Sequence, residues 1–172
     1  MKSTIDELKA RRSCRSYEKE QIKEEELLQI LDAGIYAPTG MGAQSPIMIA
    51  IQDQETIKEL SKINASVMGS DSDPFYGAPT VIAVLADTRK VTYKNDGSLV
   101  MGNLMNAAHS ISIGSCWIHR AKETFESDYG KELLKKLTIS GDFEGIAFCV
   151  LGYAVEEAAL RPRKENYIYR IK

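Results

Sequence analysis

The sequence predicts an α+β or mixed α/β domain, with helices covering a small central sheet. Helical and strand-like segments alternate along the 172 residues, beginning with two helices and ending with a strand. Residues 80–86 and 146–153 are continuous apolar runs, which are typical of central strands covered on both faces. A helix predicted between them is apolar nearly all round, so it should also be buried. With no repeats or low-complexity linkers, residues 1–172 are expected to form one domain.

The first two helices are predicted from a capping motif and from apolar spacing. Residues Thr4 to Glu7 match a capping box, and Leu8 would be the first core residue of that helix. A second helix should run over about residues 23–37, and Pro38 ends it. Its predicted core face consists of Leu27, Leu28, Leu31 and Ile35.

The middle of the chain is predicted as two loops that alternate with a strand and a helix. A glycine-containing loop follows Pro38, and residues 69–79 form a second loop rich in Gly, Ser, Asp and Pro. Between them lie a short strand at 47–51 and a helix at 55–68. The helix residues expected to point inward are Ile57, Leu60 and Ile63.

The second half begins with the buried central helix. Asp96 is a good N-cap residue for this helix, which should extend to about Ile111 and pack against the sheet and a second subunit. The later elements are a strand at 115–118, a helix at 125–137 and the strand at 146–153. The polar tail, residues 154–172, is expected to dock on another surface because it carries several apolar residues. These are Tyr167, Ile168, Tyr169 and Ile171.

Composition and charge exclude several classes of protein. The net charge of −2 does not favour nucleic-acid binding, and no segment approaches the roughly 20 apolar residues that span a bilayer. The N-terminus has no apolar run typical of a secretory signal. The three cysteines Cys14, Cys116 and Cys149 are odd in number and widely spaced, which favours reduced thiols in a cytoplasmic protein.

Two short basic clusters suggest one small anion held from two sides. The first contains Arg11, Arg12 and Arg15 with the hydroxyl of Ser13 between them. Arginine offers a planar fork of donors that matches phosphate oxygens. The second cluster contains Arg161 and Arg163. From the residues alone, a solvated basic turn and a basic tail remain open as the alternatives.

Two further segments are candidates for contact with a flat ligand. The loop with Gly40 and Gly42 would let backbone approach closely, and the amide of Gln44 suits the edge of a heterocycle, although a plain surface turn remains open. His119 follows a predicted strand, and a surface or structural role for it also remains open. No Ser-His-Asp, HExxH, GxSxG, Walker A or GxGxxG motif is present, and two histidines make a metal-histidine cluster improbable.

Four segments taken in order resemble the nitroreductase family. They are RRSCRSY after the first helix, YAPTGMGAQSP after the second, DGSLVMGNLMNAAHSISIGSCWIH in the middle and RPRKENY near the end. The resemblance covers nearly the whole chain. It implies an α+β fold with a central mixed, mainly antiparallel sheet flanked by helices. It also implies an intertwined homodimer with non-covalent FMN at the subunit interface.

The resemblance assigns the candidate residues to parts of the flavin. Arg11, Arg12, Ser13 and Arg15 would bind the phosphate and ribityl chain, and Arg161 and Arg163 would join them at the phosphate. Asn64 would contact the pyrimidine edge. The partner's loop would frame the ring through Pro38, Thr39, Gly40, Met41 and Gln44. The segment near the ring would be Trp117, Ile118 and His119.

The implied activity is that of an NAD(P)H-dependent flavin oxidoreductase. Hydride would pass from NAD(P)H through flavin N5 to a small-molecule acceptor such as a nitroaromatic or a quinone. A flavin-binding storage or sensor protein and a specialised flavin enzyme of the same fold are the alternatives. Two features depart from many members: Gly42 stands in place of an Asn, and the long helical insertion over the pocket is missing. The loop at residues 69–79 is a candidate for a smaller lid.

Overall fold

Helices and strands alternate along the described residues, 3–156 and 158–172, of the computed structural model. The helices are α1 (Thr4–Ala10), α2 (Glu24–Ile35), α3 (Gln54–Met68), α4 (Tyr93–Ser110), α5 (Ala121–Glu126) and α6 (Asp128–Lys136). The strands are β1 (Pro46–Ile51), β2 (Thr80–Asp87), β3 (Gly114–Ile118) and β4 (Phe143–Gly152). None of the helices in these two ranges is long and apolar enough to cross a membrane.

The four strands form one sheet in the order β1-β2-β4-β3, and each neighbouring pair is antiparallel. Thr80 of β2 lies opposite Leu151 of β4, and Gly152 of β4 lies opposite Gly114 of β3. The one parallel contact described is an isolated bridge between Ser13 and Ser115. The expected α+β class with a mainly antiparallel sheet is therefore confirmed.

Two apolar cores lie on opposite faces of the sheet, which explains why all eight residues of β2 are buried. On one face, Val81 and Leu85 pack with Leu60 of α3 and Phe125 of α5. On the other, alternate β2 residues pack with α2 and α4. These are Ile82 and Val84, with Ile30, Met101 and Leu104. An apolar run without alternation is what a strand covered on both faces requires.

The first helix begins one residue earlier than predicted and buries none of its residues. Ser3 is the N-cap: its hydroxyl accepts from the backbone N–H of Asp6 at 3.2 Å, and the Asp6 carboxylate accepts from the backbone N–H of Ser3 at 3.2 Å. The prediction that Thr4 opens a box with Glu7 was wrong because Asp6 fills the position usually held by Glu or Gln. Leu8, predicted as a core residue, is 52% exposed in this chain.

The buried face of α2 agrees with the prediction at two positions and differs at two. Leu27 is buried and Leu31 packs partly buried against the core, whereas Leu28 and Ile35 are 54% and 65% exposed. The buried face is shifted toward Ile30 and Gly34. A Cβ at Gly34 would lie 2.7 Å from the Met48 sulfur of β1, so the glycine lets this side of the helix approach the sheet and the neighbouring α4 closely.

The region after β3 also differs from the prediction. The single helix expected over residues 125–137 is two helices, α5 and α6, separated at Ser127, whose hydroxyl accepts from the Gly130 backbone N–H at 3.1 Å. The tail over residues 158–172 contains no helix or strand. Its apolar side chains, expected to dock, lie outside this chain's own core: Tyr167 is 70% exposed and Tyr169 is 85% exposed.

Candidate functional site

The first basic cluster forms an extended segment against the edge strand β3. Ser13 bridges Ser115, and the backbone N–H of Cys14 donates to the carbonyl oxygen of Ser115 at 2.8 Å. Cys14 is buried beside Gly114, where an added Cβ would lie 3.0 Å from the Cys14 side chain. The close approach that Gly114 permits therefore holds the basic segment against the sheet.

Three of the predicted phosphate ligands converge around the thiol of Cys116. Burial raises the pKa of Cys116, while the positive charges of Arg15 and Arg11 and the hydroxyl of Ser13 act to lower it. These three side chains therefore lie close enough to Cys116 to influence its pKa. The predicted grouping of Arg11, Ser13 and Arg15 is present in the folded chain.

Three buried polar atoms of the basic segment and the neighbouring β3 have no hydrogen-bond partner in the described chain. They are Nη1 of Arg11, Nε of Arg12 and Oγ of Ser115. A buried charged donor without an acceptor costs a large desolvation penalty, so such an atom indicates a missing partner. An anionic oxygen would provide it, and phosphate suits the donors present because arginine forks and hydroxyl groups are its usual ligands.

Arg12 lies apart from this group. Its Nη1 donates to the carbonyl oxygens of Lys9 and Arg11, each at 2.6 Å, and so satisfies the end of α1. Arg12 also lines a groove of about 580 Å³ together with Cys14, His109 and Leu160. Arg12 was predicted to act with Arg11 and Ser13 because the three are adjacent in the sequence. In an extended segment, however, neighbouring side chains point to opposite sides, so Arg12 points away from the other two.

The loop between α3 and β2 is anchored close to Arg15. Asp73 accepts from the backbone N–H of Phe75 at 2.8 Å and of Gly77 at 2.6 Å, and Phe75 is only 1% exposed. Tyr76 adopts a positive φ of 58° and places its ring 6.0 Å from the Arg15 guanidinium, and the Tyr76 side chain raises the pKa of Arg15. Any lid motion of this loop would have to withdraw Phe75 from the core.

The glycine loop after α2 is tightly turned and exposed at its tip. Met41 has a φ of 52° and is fully exposed, and Gln44 has a φ of 47°. The backbone N–H of Gln44 donates to the Thr39 hydroxyl at 3.1 Å. Pro38 is exposed and precedes this turn. The described hydrogen bonds of this loop either stay within the loop or join it to the first turn of α4 or to the end of β2. None of them goes to the basic segment.

Asp96 fixes this loop and is not the N-cap of α4, which begins three residues earlier at Tyr93. The Asp96 carboxylate is 1% exposed and accepts from the Gly40 backbone N–H at 2.9 Å and the Ser45 hydroxyl at 2.8 Å. The Thr92 hydroxyl also donates to it, at 3.1 Å. Burial raises the pKa of Asp96, but these three hydrogen bonds outweigh burial and leave the pKa below the usual aspartate value.

Replacing Asp96 with asparagine should loosen the loop, because an amide cannot accept from all three donors. We expect the free energy of unfolding to fall by about 1–3 kcal/mol, since hydrogen bonds to a buried charge are among the stronger ones. Urea denaturation at pH 7 would measure it. Asp53→Asn is the matched control: Asp53 caps α3 away from the loop. If proteolysis of residues 38–45 increased equally in both variants, Asp96 would not be the anchor.

The end of β3 brings together the predicted ring-facing residues and Asn64. Trp117 and His119 have their ring centroids 5.9 Å apart, and His119 is exposed. Ile118 differs, because its side chain is 5% exposed and belongs to the core. Asn64 is fully buried, and its amide nitrogen donates to the His119 carbonyl oxygen at 2.7 Å. Asn64 thus supports the wall formed by this segment.

The second basic cluster makes no hydrogen bond or ion pair with the first one in the described structure. Arg161 and Arg163 are exposed in the tail, and the described residues offer neither of them an ion pair. Leu160, one residue earlier, lines the groove beside Arg12. The tail therefore starts near the basic segment, while its two arginines remain unengaged.

Arg120 was missed by the sequence analysis. It follows His119 directly, and its Nε donates to the Asn64 amide oxygen at 3.1 Å. The signal that could have found it is its place at the junction between β3 and α5, immediately after the Trp117 to His119 segment. Its positive φ of 68° could not be predicted, because arginine rarely adopts this conformation.

An antiparallel sheet flanked by helices, with a basic segment on its edge, defines an α+β protein with a candidate anion site. The model of the Nitroreductase family matches residues 8–74. A relative from Archaeoglobus fulgidus, provisionally named NADH dehydrogenase/NAD(P)H nitroreductase, is 30% identical over 123 residues, covering 69% of this chain and 68% of that protein. The chain belongs to the nitroreductase family.

Two further similarities agree with this assignment. A Methanothermobacter thermautotrophicus protein with the same provisional name is 27% identical over 118 residues, which cover 66% of this chain and 59% of the relative. This chain is also similar to the crystal structure of a Bacteroides fragilis nitroreductase with bound FMN. The two are 27% identical in sequence, the TM-score is 0.88, and the match covers 100% of each chain. That likeness extends the agreement in fold over the full length.

Proposed function

We propose that this protein is an FMN-dependent oxidoreductase that uses NAD(P)H to reduce a small acceptor such as a nitroaromatic or a quinone. The observation that carries the proposal is the buried Nη1 of Arg11, which lacks a partner in the described chain and belongs to the group around Cys116. The FMN bound to the Bacteroides fragilis relative and the provisional names of the archaeal relatives support it.

The residues present fit the phosphate of FMN. Arg11 and Arg15 would supply guanidinium donors, and Ser13 and Ser115 would supply hydroxyl groups from two paired segments. Arg161 and Arg163 would join the phosphate site from the tail, which lines the groove beside Arg12 through Leu160. Arg12 would contribute through its backbone and its buried Nε, which lacks a partner in the described chain, while its Nη1 is engaged at the end of α1.

The ring would lie against the end of β3. Trp117 and His119 offer an aromatic surface there, and the backbone of Ile118 continues it while the side chain remains in the core. Asn64 would act mainly by holding the His119 carbonyl, and so would fix the position of this wall. We assign no side chain to acid–base catalysis, because solvent can supply protons to an open site.

The proposal includes a homodimer in which the glycine loop of one subunit frames the site of the other. Pro38, Thr39, Gly40, Met41 and Gln44 would form that frame. Apolar residues exposed on α1, α2, α4 and the loop support an interface, because large exposed apolar patches usually mark contact surfaces. They are Ile5, Leu8, Leu28, Ile35, Tyr36, Met41 and Leu99. The three free, buried cysteines support a reducing, cytoplasmic setting.

When bound, FMN would supply hydride chemistry at N5, so that a donor and an acceptor can use the same space in turn. The chain's own contribution is binding and electrostatics. The positive charges of Arg11 and Arg15 would stabilise negative charge close to them, and their field is strengthened where water is excluded. The anchored loop that carries Tyr76 would keep Arg15 in place.

Reconstitution with FMN tests this function. We expect the purified protein to take up FMN, to oxidise NADH or NADPH rapidly and to pass the electrons to nitrobenzene or benzoquinone. A protein that binds FMN tightly but is reduced by neither nicotinamide would instead be a storage or sensor protein. A protein that does not take up FMN at micromolar concentration would contradict the proposal altogether.

A further inference from the structure

The backbone of Arg120 is held in a conformation that arginine seldom adopts. Its φ and ψ are 68° and 19°, in the left-handed region. This conformation is strained for a residue other than glycine and persists only where its surroundings hold it. Here its carbonyl oxygen accepts from the backbone N–H of Thr124 at 3.0 Å and from the Thr124 hydroxyl at 2.7 Å. Thr124 is fully buried, so the start of α5 fixes the Arg120 backbone.

The guanidinium of Arg120 is fixed along one edge only. Its Nε donates to the Asn64 amide oxygen at 3.1 Å, and Asn64 is itself fixed by its bond to the His119 carbonyl. The two terminal nitrogens have no hydrogen bond or ion pair to any residue in the described ranges. Because Arg120 is half-buried, its charge is oriented and only partly solvated.

Arg89 shows the contrast with an arginine that serves structure alone. Its Nε and Nη2 both donate to the Asp87 carboxylate, each at 2.8 Å, and so its charge is neutralised within the chain. Arg120 has the same fork of donors but no carboxylate. An arginine that is oriented by a buried amide and left without a counter-charge is suited to bind an external anion.

The neighbours of Arg120 indicate what carries this anion. Trp117 and His119 precede Arg120 by three residues and one residue in the chain. Their rings form the surface proposed to lie against the flavin ring. Arg15 and Arg11, which gather around Cys116, are already assigned to the cofactor phosphate. A second, separate positive group beside an aromatic wall fits a flat molecule with an acidic substituent.

We propose that Arg120 is a specificity-determining residue that binds a carboxylate or phosphate group on the molecule exchanging electrons at this site. The inference rests on the proposed function, because it names a chemical class of substrate for that same site. The anion has two sources with shared chemistry, a carboxylate on an aromatic acceptor or the 2′-phosphate of NADPH. The assays separate them.

The first test needs no turnover. Calorimetric titration of the FMN-treated protein with benzoate should show binding that weakens at least 10-fold in Arg120→Gln and less in Arg120→Lys. Neutral benzamide should bind equally to all variants, and Arg89→Gln should match the original protein. No detectable benzoate binding to the original protein, or equal binding to Arg120→Gln, would overturn the proposal for a carboxylate.

The second test uses paired substrates at saturating FMN. We expect Arg120→Gln to lower kcat/KM for 4-nitrobenzoate relative to nitrobenzene by about 10-fold if the acceptor carries the anion. The rate of reduction by NADPH relative to NADH should fall instead if the nucleotide carries it. If neither ratio moves, or if only FMN affinity falls, Arg120 does not select substrates. If the original protein reduces no acceptor, the proposed function fails, and the benzoate titration still decides whether Arg120 forms an anion site.

Discussion

Replacing Phe148 with alanine is expected to lower the free energy of unfolding by about 3–5 kcal/mol. Phe148 of β4 is fully buried, and its ring centroid lies 5.0 Å from that of Phe75 and 5.8 Å from that of Phe125. The substitution would remove the middle ring of this group and leave a cavity that the surrounding strands cannot fill. A loss of this size is a large part of the stability of most small domains.

Urea denaturation at one fixed protein concentration would measure the effect, because the proposed homodimer would make apparent stability depend on concentration. Val91→Ala is the control, since Val91 is 96% exposed and should change stability by no more than about 0.5 kcal/mol. A loss of less than 1 kcal/mol in Phe148→Ala would show that the three rings are not the centre of this core. Because Phe75 belongs to the loop beside Arg15, we also expect easier cleavage of that loop by proteases.

Replacing Arg11 with alanine is expected to weaken FMN binding by about 10- to 100-fold. Hydrogen bonds to charged groups contribute about 1.5–3 kcal/mol, and 1.4 kcal/mol corresponds to a factor of ten in affinity. Arg11 should have this effect because its buried Nη1 lacks a partner in the described chain. Arg15→Ala should act in the same direction, and Arg163→Ala should have a smaller effect because Arg163 is exposed and has no described contact with the first cluster.

Flavin fluorescence quenching would measure these affinities, and two variants serve as controls. Arg89→Ala removes a charge that is paired with Asp87 and should leave FMN affinity unchanged. Arg12→Ala should have a smaller effect than Arg11→Ala, because Nη1 of Arg12 already donates to two carbonyl oxygens at the end of α1 and only its Nε lacks a partner. Equal losses in Arg11→Ala and Arg89→Ala would mean that only overall charge matters.

The central strands and the existence of a basic site could be predicted from the sequence, because their signals are local. The apolar runs of β2 and β4 are continuous, and the first basic cluster spans only five residues. The orientation of α2 could not be predicted, because it depends on the contact between Gly34 and Met48 of another element. Apolar spacing alone placed Leu27 and Leu31 correctly but wrongly turned Leu28 and Ile35 inward.

The roles of Asp96 and Arg120 depend on contacts between residues far apart in the sequence. Asp96 looked like a helix cap, but its partner Gly40 lies 56 residues earlier in the chain. Arg120 is oriented by Asn64, also 56 residues away, and by a backbone conformation that propensity disfavours. In both cases a polar side chain contacts a partner that only the fold brings close. The local sequence pattern gives no signal of such a contact.

The most direct test of the account compares FMN with riboflavin, which lacks the phosphate. If Arg11, Ser13 and Arg15 form a phosphate site, fluorescence titration of the unmodified protein should show FMN binding at least about 100-fold more tightly than riboflavin. Arg11→Ala should reduce this difference by weakening FMN binding alone. Equal affinities for the two flavins, or no saturable binding of either, would contradict the assignment of the basic segment.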